Sequence, residues 1–386
     1  MTSLLVIIVL ALLSVALWQL SKIFHLTQVG KTSDSTQVAN DKDNNIQGYI
    51  MFAFLAFIYI FTIYGLLKWG GLVLSNPSSE HGETVDSLMD VTWVVIFAVQ
   101  AVTQVLLHYF AFKYRGKKGN TALYFADSDR LEFIWSVIPA AVLAVLILYG
   151  LYAWTNIMFV NEKTEDVMVV EIYAKQFGWE VRYSGSDNVL GKANVRYIDG
   201  TNSTGTDLND ANAQDDKSVT GEFHIPKGKK ILFKMRSQDV LHSAFMPHFR
   251  AQMNCVPGMV TQFAFTPTIT TSDRRDMQDM LEKVANINKI RAGKSQVLVA
   301  DGKPPLDAYQ FDYLLLCNKI CGASHYNMQM KLVVDTPADF KEWLASKPTI
   351  VKAFKESKAA DAPAADSTAV KPTGAMDKTM AQIIKK

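Results

Sequence analysis

Residues 317–328 read CNKICGASHYNM and contain the densest group of potential metal ligands in the chain. Two of the three cysteines and one of the seven histidines lie here, followed closely by a methionine. Thiolate, imidazole and thioether together suit a soft metal, copper above all. The spacing of Cys317 and Cys321 also permits a zinc loop, or a disulfide in an oxidising compartment. Spacing alone leaves copper, zinc and a disulfide as open alternatives.

Charged residues are very unevenly distributed along this chain of 386 residues. Four stretches contain no Asp, Glu, Lys or Arg: residues 1–21, 44–67, 91–112 and 133–161. Each reaches the roughly 20 residues that a helix needs to cross the hydrocarbon core of a bilayer. We therefore predict four transmembrane helices, with the lipid bilayer as a partner. The net charge of only +2 gives no indication of a nucleic-acid partner.

The loops between these stretches predict the topology. Residues 113–130 carry five Lys or Arg residues, which the positive-inside rule places in the cytoplasm, whereas residues 76–90 are acidic and contain neither. The chain after about residue 160 would then lie on the outer side. The first stretch has the alternative of a cleaved signal peptide, but no basic residue precedes its apolar part. We expect a retained helix, because its removal would leave an odd number of spans and an internal large domain.

From residue 162 to about residue 349 the pattern changes to short alternating or β-branched runs separated by turn-rich segments, typical of an antiparallel β-sandwich or barrel. Residues 187–220 and 272–310 interrupt this pattern and are predicted insertions, the first exposed and the second helical over 272–292. A capping box at residues 336–339 predicts a short helix to about residue 347. The predicted strands are residues 167–173, 230–235, 261–265, 313–316 and 331–334.

A second motif lies upstream of the cysteine cluster. Residues 239–247 read DVLHSAFMP, with His242 in the middle. Together the two motifs resemble the copper-binding signature of subunit II of haem–copper cytochrome c oxidases, in a bacterial type with extra N-terminal helices. The resemblance extends over about residues 91–349. Further matches follow in the family's order: EFIWSVIPA at 132–140, KQFGW at 175–179 and VPG at 256–258.

The resemblance implies a membrane-anchored all-β protein, in which N-terminal transmembrane helices precede a cupredoxin-like Greek-key β-barrel. It also implies a dinuclear copper A centre, in which two cysteine thiolates bridge two copper ions. Each copper would bind one histidine, with a methionine as a weak ligand and a backbone carbonyl completing the set. The implied ligands are His242, Cys317, the carbonyl of Lys319, Cys321, His325 and Met328.

The implied function is electron transfer from cytochrome c to haem in a catalytic subunit, which reduces oxygen and pumps protons. The implied partners are that subunit, other membrane subunits, cytochrome c and a larger respiratory supercomplex. The implied location is the bacterial inner membrane, with the copper domain on the periplasmic side. The predicted parts are two additional helices (1–75), the family's helical hairpin (76–161), the copper A domain (162–356) and a disordered tail (357–386).

Some single residues acquire roles through the resemblance. Glu132 would lie at the mouth of a proton-uptake channel, although a helix N-terminus favours an acidic residue in any case. Tyr173, Phe177 and Trp179 would lie near the surface where electrons arrive, and Phe177 stands where mitochondrial members have a tryptophan. Cys255 is expected to be a buried free cysteine.

Lys319 departs from the family pattern. The family usually has a glutamate at this position, whose side chain binds magnesium at the contact with the catalytic subunit. A lysine cannot replace that ligand, so the magnesium site is in doubt.

Two rival functions differ in what they require of the sequence. Subunit II of a quinol oxidase has the same fold but lacks the copper ligands, which are all present here. A membrane-anchored metal chaperone or assembly factor needs the ligands but neither the motif at 132–140 nor the one at 175–179. We therefore favour the cytochrome c oxidase subunit.

Overall fold

The computed structural model describes residues 2–29, 41–73, 75–162 and 165–360. The chain divides into a helical unit (Met1–Ser75 with Asp86–Tyr152) and a β-stranded unit (Asn76–Val85 with Ala153–Lys386). The first four helices of the described residues are α1 Thr2–Val29, α2 Asp41–Val73, α3 Glu80–Lys113 and α4 Asp129–Met158.

Three of these helices are long and apolar enough to cross a membrane: Asp41–Gly71 within α2, and the whole of α3 and α4. Their apolar side chains are mostly exposed, as expected of surfaces that face lipid. The described side chains of α1 give a shorter apolar stretch, Ile8–Phe24. Among the described residues, three of the four predicted spans are therefore confirmed as helices able to cross a bilayer, and the first stays a prediction.

The β-stranded unit is a sandwich of two five-stranded sheets over the described residues. Strands β1 to β10 are Val167–Lys175, Gly178–Tyr183, Lys217–Thr220, Glu222–Pro226, Lys230–Ser237, His242–Met246, Ala251–Cys255, Thr261–Phe265, Tyr313–Cys317 and Gln329–Asp335. One sheet has the order β3-β2-β1-β5-β8 and the other the order β4-β10-β9-β6-β7. All five predicted strands are confirmed.

The pairing of the strands corrects the prediction of an antiparallel sandwich. Strand β1 runs parallel to β5, and β4 runs parallel to β10, while the other pairs are antiparallel. The parallel pairs arise because the chain crosses to the opposite sheet between the partners: β4 lies between β1 and β5 in sequence but belongs to the other sheet. Alternating hydrophobicity predicts a strand and its buried face, but not this long-range pairing.

The side chains of β5 show how the sequence selects the packing. Ile231, Phe233 and Met235 alternate along the strand and lie in the core between the sheets. Leu232 faces the other side and packs with Val169 in a second, smaller cluster. Full burial of each such side chain stabilises the fold by roughly 1.5–3 kcal/mol. Truncating Phe233 to alanine would remove this stabilisation and leave a cavity, so we expect the free energy of unfolding to fall by about 3–5 kcal/mol.

The first insertion, predicted over residues 187–220, is folded and combines exposed with buried residues. It contains two 3₁₀ turns, Val195–Tyr197 and Ala211–Ala213, and ends in strand β3. The buried guanidinium of Arg182 holds it: Nη1 donates to the carbonyl of Gly191 at 2.8 Å and to Asp216 Oδ2 at 3.0 Å. The same guanidinium donates to Glu171 Oε2 at 2.7 Å through Nε.

The second insertion is helical, as predicted, and extends further than expected. Helices α5 (Thr271–Asp276) and α6 (Gln278–Ala300) form it, so the helical part ends at residue 300 rather than 292. Helix α7 (Pro337–Ser346) confirms the capping box, with Thr336 Oγ1 accepting from the backbone N–H of Asp339. Helix α8 (Ile350–Ala360) includes residues 357–360, which we assigned to the tail, and residues 361–386 lie outside the described part.

One end of the sandwich binds the segment that leads into α3. The backbone N–H of Ser78 donates to the carbonyl of His248 at 2.7 Å, and the N–H of Thr268 donates to the carbonyl of Ser78 at 2.9 Å. The hydroxyl of Ser79 donates to the carbonyl of Phe249 at 2.7 Å. We call this end, marked by Ser78, Phe249 and Thr268, the tether end.

Replacing His248 with glutamine is expected to make the unit less sensitive to acid. Burial, followed by the positive charges of Lys283 and Arg274, lowers the pKa of His248 to about 4. At pH values between about 4 and the usual pKa of about 6.5, His248 binds a proton in the unfolded chain but not in the folded one. The contribution of His248 to stability is therefore present above pH 6.5 and is lost as the pH falls towards 4.

The measurement is urea unfolding of both proteins, free of added copper, at neutral pH and near pH 4.5. Relative to the variant, the wild type should lose about 1–2 kcal/mol more of its free energy of unfolding on acidification. This is less than the full pKa shift would give, because the ring is partly exposed to solvent. If wild type and variant lost stability in parallel, the neutral buried state of His248 would be wrong.

Candidate metal centre

Two neighbouring strands bring the two sequence motifs together. His242 is the first residue of β6 and Cys317 is the last residue of β9. The strands pair antiparallel, with Ala244 opposite Cys317. The N–H of Asn318 donates to the carbonyl of Ser243 at 3.0 Å and continues this pairing past the end of β9. The ladder therefore fixes the distance between the histidine and the first cysteine.

The predicted ligand atoms converge on the two thiols. Cys317 Sγ and Cys321 Sγ are 3.9 Å apart. His242, Cys317 and Cys321 form a group whose ligand atoms all lie within 4.8 Å of one another. Each remaining ligand atom approaches one of the two sulfurs: His242 Nδ1 to Cys317 at 3.8 Å, Lys319 O to Cys317 at 3.2 Å, His325 Nδ1 to Cys321 at 3.7 Å, and Met328 Sδ to Cys321 at 3.6 Å.

The loop that carries these ligands closes on its own beginning. The N–H of Met328 donates to the carbonyl of His325 at 3.1 Å, and the N–H of Cys317 donates to the carbonyl of Met328 at 3.1 Å. Gly322 has φ +142°, which side chains rarely permit, and a Cβ there would lie 2.8 Å from the ring of Phe177. Glycine is therefore required for this loop to pack against the turn after β1.

Asp239 and Gln176 form hydrogen bonds to residues of the ligand set, a role that the sequence did not predict. Asp239 Oδ1 lies 2.8 Å from His242 Nε2, so the other ring nitrogen, Nδ1, faces Cys317. Asp239 Oδ2 accepts from the N–H of Gln176 at 2.8 Å, and the side-chain amide of Gln176 donates to the carbonyl of Cys321. Burial would raise the pKa of Asp239, but these hydrogen bonds lower it.

A signal for both residues was present in the sequence. Asp239 stands three positions before His242, and Gln176 lies inside the motif at 175–179. We chose only the aromatic residues of that motif. The hydrogen bond of Gln176 to Cys321 joins residues 145 positions apart, which local spacing does not predict.

The thiol of Cys321 is protonated at neutral pH when no metal ion is bound. Burial, followed by the nearby Cys317, raises the pKa of Cys321 to about 11. A bound metal ion replaces the thiol proton and stabilises the thiolate. The thiol of Cys255, as expected, is buried and free, and burial raises its pKa to about 12.

The donor set tests the three alternatives left open by the spacing. A disulfide requires sulfurs at about 2.05 Å, far below the 3.9 Å found. Metal–thiolate bonds are about 2.3 Å, so a single ion can contact both sulfurs. Five side-chain donors and one carbonyl exceed the four positions of a structural zinc site, and a thioether donor favours copper. The residues therefore fit a soft, dinuclear centre.

The predicted aromatic residues differ in their relation to the ligands. Trp179 is buried, with its ring 6.2 Å from that of His242 and its Nε1 3.5 Å from the carbonyl of Met328. Phe177 is 39% exposed and lies against the ligand loop at Gly322. Tyr173 is buried under the guanidinium of Arg236, which lies 4.7 Å above its ring.

The remaining predicted residues are exposed. Glu132 is exposed in the first turn of α4, where Ser128 Oγ accepts from the N–H of Leu131 at 3.5 Å. Lys319 is also exposed, so its carbonyl approaches Cys317 while the residue faces solvent. The structure thus brings six predicted ligands together and leaves Glu132 in the helical unit.

A β-sandwich with cysteine and histidine ligands at the ends of its strands, joined to apolar helices, defines a membrane-anchored, cupredoxin-like metal-site protein. The family model "Cytochrome C oxidase subunit II, transmembrane domain" matches residues 67–153. The model of the periplasmic domain of the same subunit matches residues 168–272, ending where the helical insertion begins. The chain belongs to the family of cytochrome c oxidase subunit II.

Curated relatives agree with this assignment. The "Alternative cytochrome c oxidase subunit 2" of Bradyrhizobium diazoefficiens is 31% identical over 276 residues, covering 71% of this chain and 84% of the relative. The cytochrome c oxidase subunit 2 of Thermostichus vulcanus is 22% identical over 308 residues, covering 73% and 80%. Both alignments extend far beyond a single motif.

Solved structures are less similar. The periplasmic domain of subunit II of cytochrome oxidase of Bradyrhizobium japonicum has 13% identity and a TM-score of 0.27, covering 46% of this chain and 91% of that one. A haem–copper terminal oxidase dimer gives 13% identity and a TM-score of 0.29 over 54% of this chain. Scores this low do not by themselves establish a shared fold.

Family and fold together establish the general role. The chain is a subunit of a multi-subunit cytochrome c oxidase, anchored in a membrane by apolar helices, with a cupredoxin-like domain outside it. The predicted fold class is confirmed. Copper and electron transport follow from the family.

Proposed function

We propose that this chain is the electron-transfer subunit of a terminal oxidase that takes electrons from cytochrome c. It would hold a dinuclear copper A centre and pass electrons to haem in the catalytic subunit, where oxygen reduction is coupled to proton pumping. The observation that carries the proposal is the convergence of the six predicted ligands, each with its ligand atom within 3.9 Å of a cysteine sulfur.

The protein's own residues prepare the site for electron transfer. Two copper ions bound there would share one unpaired electron through bridging thiolates, so that the charge of each metal changes little. Asp239 orients His242, the strand ladder positions Cys317, and the closed loop holds His325 and Met328. Ligands held this firmly move little when the charge changes, which keeps the reorganisation energy small.

The surface beside the ligand loop suits a transient electron donor. Ile320 and Tyr326 are 89% and 87% exposed, and both lie within the ligand loop. Phe177 is exposed and lies against the same loop at Gly322, and the buried Trp179 contacts both His242 and Met328. We propose that cytochrome c docks over this apolar face, with Phe177 and Trp179 between donor and ligands. Exposed apolar residues of this kind mark interaction surfaces.

The remaining roles are proposed on the basis of the family. Glu132 would accept protons at the cytoplasmic mouth of α4, and Tyr173 would support the electron-accepting surface from the core. The protein would lie in the bacterial inner membrane with the sandwich in the periplasm. We propose the same four parts with boundaries at residues 75 and 161, and with the copper A domain extended from residue 356 to the end of α8 at residue 360. The additional helices would contact other subunits or a larger respiratory assembly. No magnesium ligand is proposed at Lys319.

The experiment is rapid kinetics on the oxidase purified through this chain. We expect the complex to oxidise reduced cytochrome c, with electrons reaching haem at the rate at which cytochrome c is consumed. Activity with a quinol but none with cytochrome c would instead favour a quinol oxidase. A chain that purifies without haem and transfers copper to a metal-free acceptor protein would favour the chaperone alternative.

A further inference from the structure

A cavity of about 860 Å³ opens in the β-stranded unit beside helix α7. Its floor is apolar and includes Val167, Met168, Tyr183, Phe340 and Leu344. Several of these side chains are buried, because they belong to the packed core of the sandwich. A concave apolar surface of this size is typical of sites for small molecules with an apolar part.

The rim of the cavity is positively charged. Lys227 and Lys229 project from the turn between β4 and β5, where Gly228 adopts φ +77°, and Lys341 projects from α7. The lining contains four lysines against two acids, Asp166 and Asp215.

The two acids leave the rim lysines available. Asp215 already accepts from the N–H and the hydroxyl of Ser186, at 2.6 and 2.7 Å. Asp166, which pairs with Lys229, is 93% exposed, so water screens this pair strongly. Lys227 Nζ is 3.4 Å from Asp273. An anion would therefore meet three lysines that are weakly held.

The cavity lies at the tether end. The N–H of Gly228 donates to the carbonyl of Pro267 at 2.8 Å, and the next residue, Thr268, is bound to Ser78. Ser78 stands two positions before α3 begins, and Val167 follows the end of α4 at Met158. Through these hydrogen bonds and along the chain, the lysines are connected to the segments that lead into α3 and out of α4.

The metal ligands lie at the other end of the same strand. Strand β1 starts at the cavity with Val167 and ends next to Gln176, which contacts the ligand loop. Its 9 residues span roughly 30 Å at the usual rise per residue. The cavity is therefore not part of the metal centre.

We propose that this cavity binds one anionic phospholipid from the outer leaflet of the membrane that the helices cross. The phosphate would lie between Lys227, Lys229 and Lys341, and the glycerol and upper acyl chain would lie on Phe340 and Leu344. Charge complementarity selects an anionic headgroup over a zwitterionic one.

The chain's own C-terminal segment is a poorer occupant. Residues 361–386 contain four lysines and three aspartates, so their side-chain charges nearly cancel. This segment would therefore offer the rim lysines little of the negative charge that a phosphate brings.

Native mass spectrometry of the full chain in detergent tests the proposal, with phosphatidylglycerol or phosphatidylcholine added in equal amounts. We expect one phosphatidylglycerol per chain to be retained at least tenfold more than phosphatidylcholine. A variant with Lys227→Gln, Lys229→Gln and Lys341→Gln should lose that retention at least tenfold. The matched control removes the same charge from exposed lysines outside the cavity and should retain the lipid: Lys289→Gln, Lys294→Gln and Lys303→Gln.

Three outcomes would overturn the proposal. Equal retention of both lipids would exclude selection by charge. Equal losses in the rim variant and the control variant would indicate general attraction between lipid and lysines. Protection of the rim lysines from acetylation by inorganic phosphate alone would indicate an anion site rather than a lipid site. The copper signal of the full chain, measured in parallel, reports separately on the proposed function and on correct folding.

Discussion

Replacing Cys321 with serine is expected to abolish electron transfer through the oxidase, lowering cytochrome c oxidation at least 100-fold. The thiol of Cys321 lies within 3.9 Å of Cys317, His325 and Met328. It therefore connects the ligands around Cys317 with the other two. A hydroxyl does not ionise at neutral pH and binds soft metals weakly, so it cannot act as the bridge. The measurement is oxygen consumption by the purified complex with reduced cytochrome c.

Cys255→Ala provides the control for this prediction. Cys255 is opposite His242 in the pairing of β6 with β7, but its thiol is buried and stays protonated. The alanine variant should keep its copper and more than half of the activity. If Cys321→Ser remained as active as Cys255→Ala, the two-thiolate centre would be wrong.

Replacing Arg182 with methionine is expected to lower the free energy of unfolding of the sandwich by about 3–5 kcal/mol. The buried carboxylate of Asp216 would lose its counter-charge, and among the described residues Glu171 would keep only Arg236 as a basic partner. Arg182 is 2% exposed and contacts Glu171 on β1 and Asp216 at the end of the first insertion. Burial already raises the pKa of Asp216 to about 6 despite the arginine. The variant should therefore also release residues 187–216 from the sheet.

Urea unfolding of the detergent-solubilised chain, followed by tryptophan fluorescence, measures the change. Hydrogen exchange of peptides covering residues 187–216 reports on the insertion itself. Lys352→Met serves as the control, because Lys352 is 67% exposed and its ion pair among the described residues is with Glu356, one helical turn away. Such exposed pairs contribute less than about 1 kcal/mol. Equal stability losses in the two variants would show that the buried network does not hold the insertion.

The parts of the fold that depend on local pattern could be predicted from the sequence. Uncharged stretches indicated the three helices that, among the described residues, are able to cross a membrane, and alternation indicated strands such as β5 and β10. The ligand set was predictable because its spacing is short: Cys317, Cys321, His325 and Met328 lie on one loop, and only His242 comes from elsewhere.

The parts that depend on distant partners could not be predicted. The parallel pairing of β1 with β5 depends on a crossing between sheets, which leaves no local signal. Strand β3 was not predicted within the polar insertion. In the sequence, Arg182, Glu171 and Asp216 resemble ordinary surface charges. Only their mutual contacts explain why charged residues are buried there. The support of Asp239 and Gln176 for the ligands was missed for the same reason.

Copper analysis of the full chain combined with electron paramagnetic resonance tests the central claim most directly. We predict two copper ions per chain, and a mixed-valence signal whose seven-line hyperfine pattern reports one electron shared between them. The pattern should disappear in Cys321→Ser and persist in Cys255→Ala. One zinc ion per chain with no paramagnetic signal would contradict the proposal that Cys317 and Cys321 bridge a dinuclear copper centre.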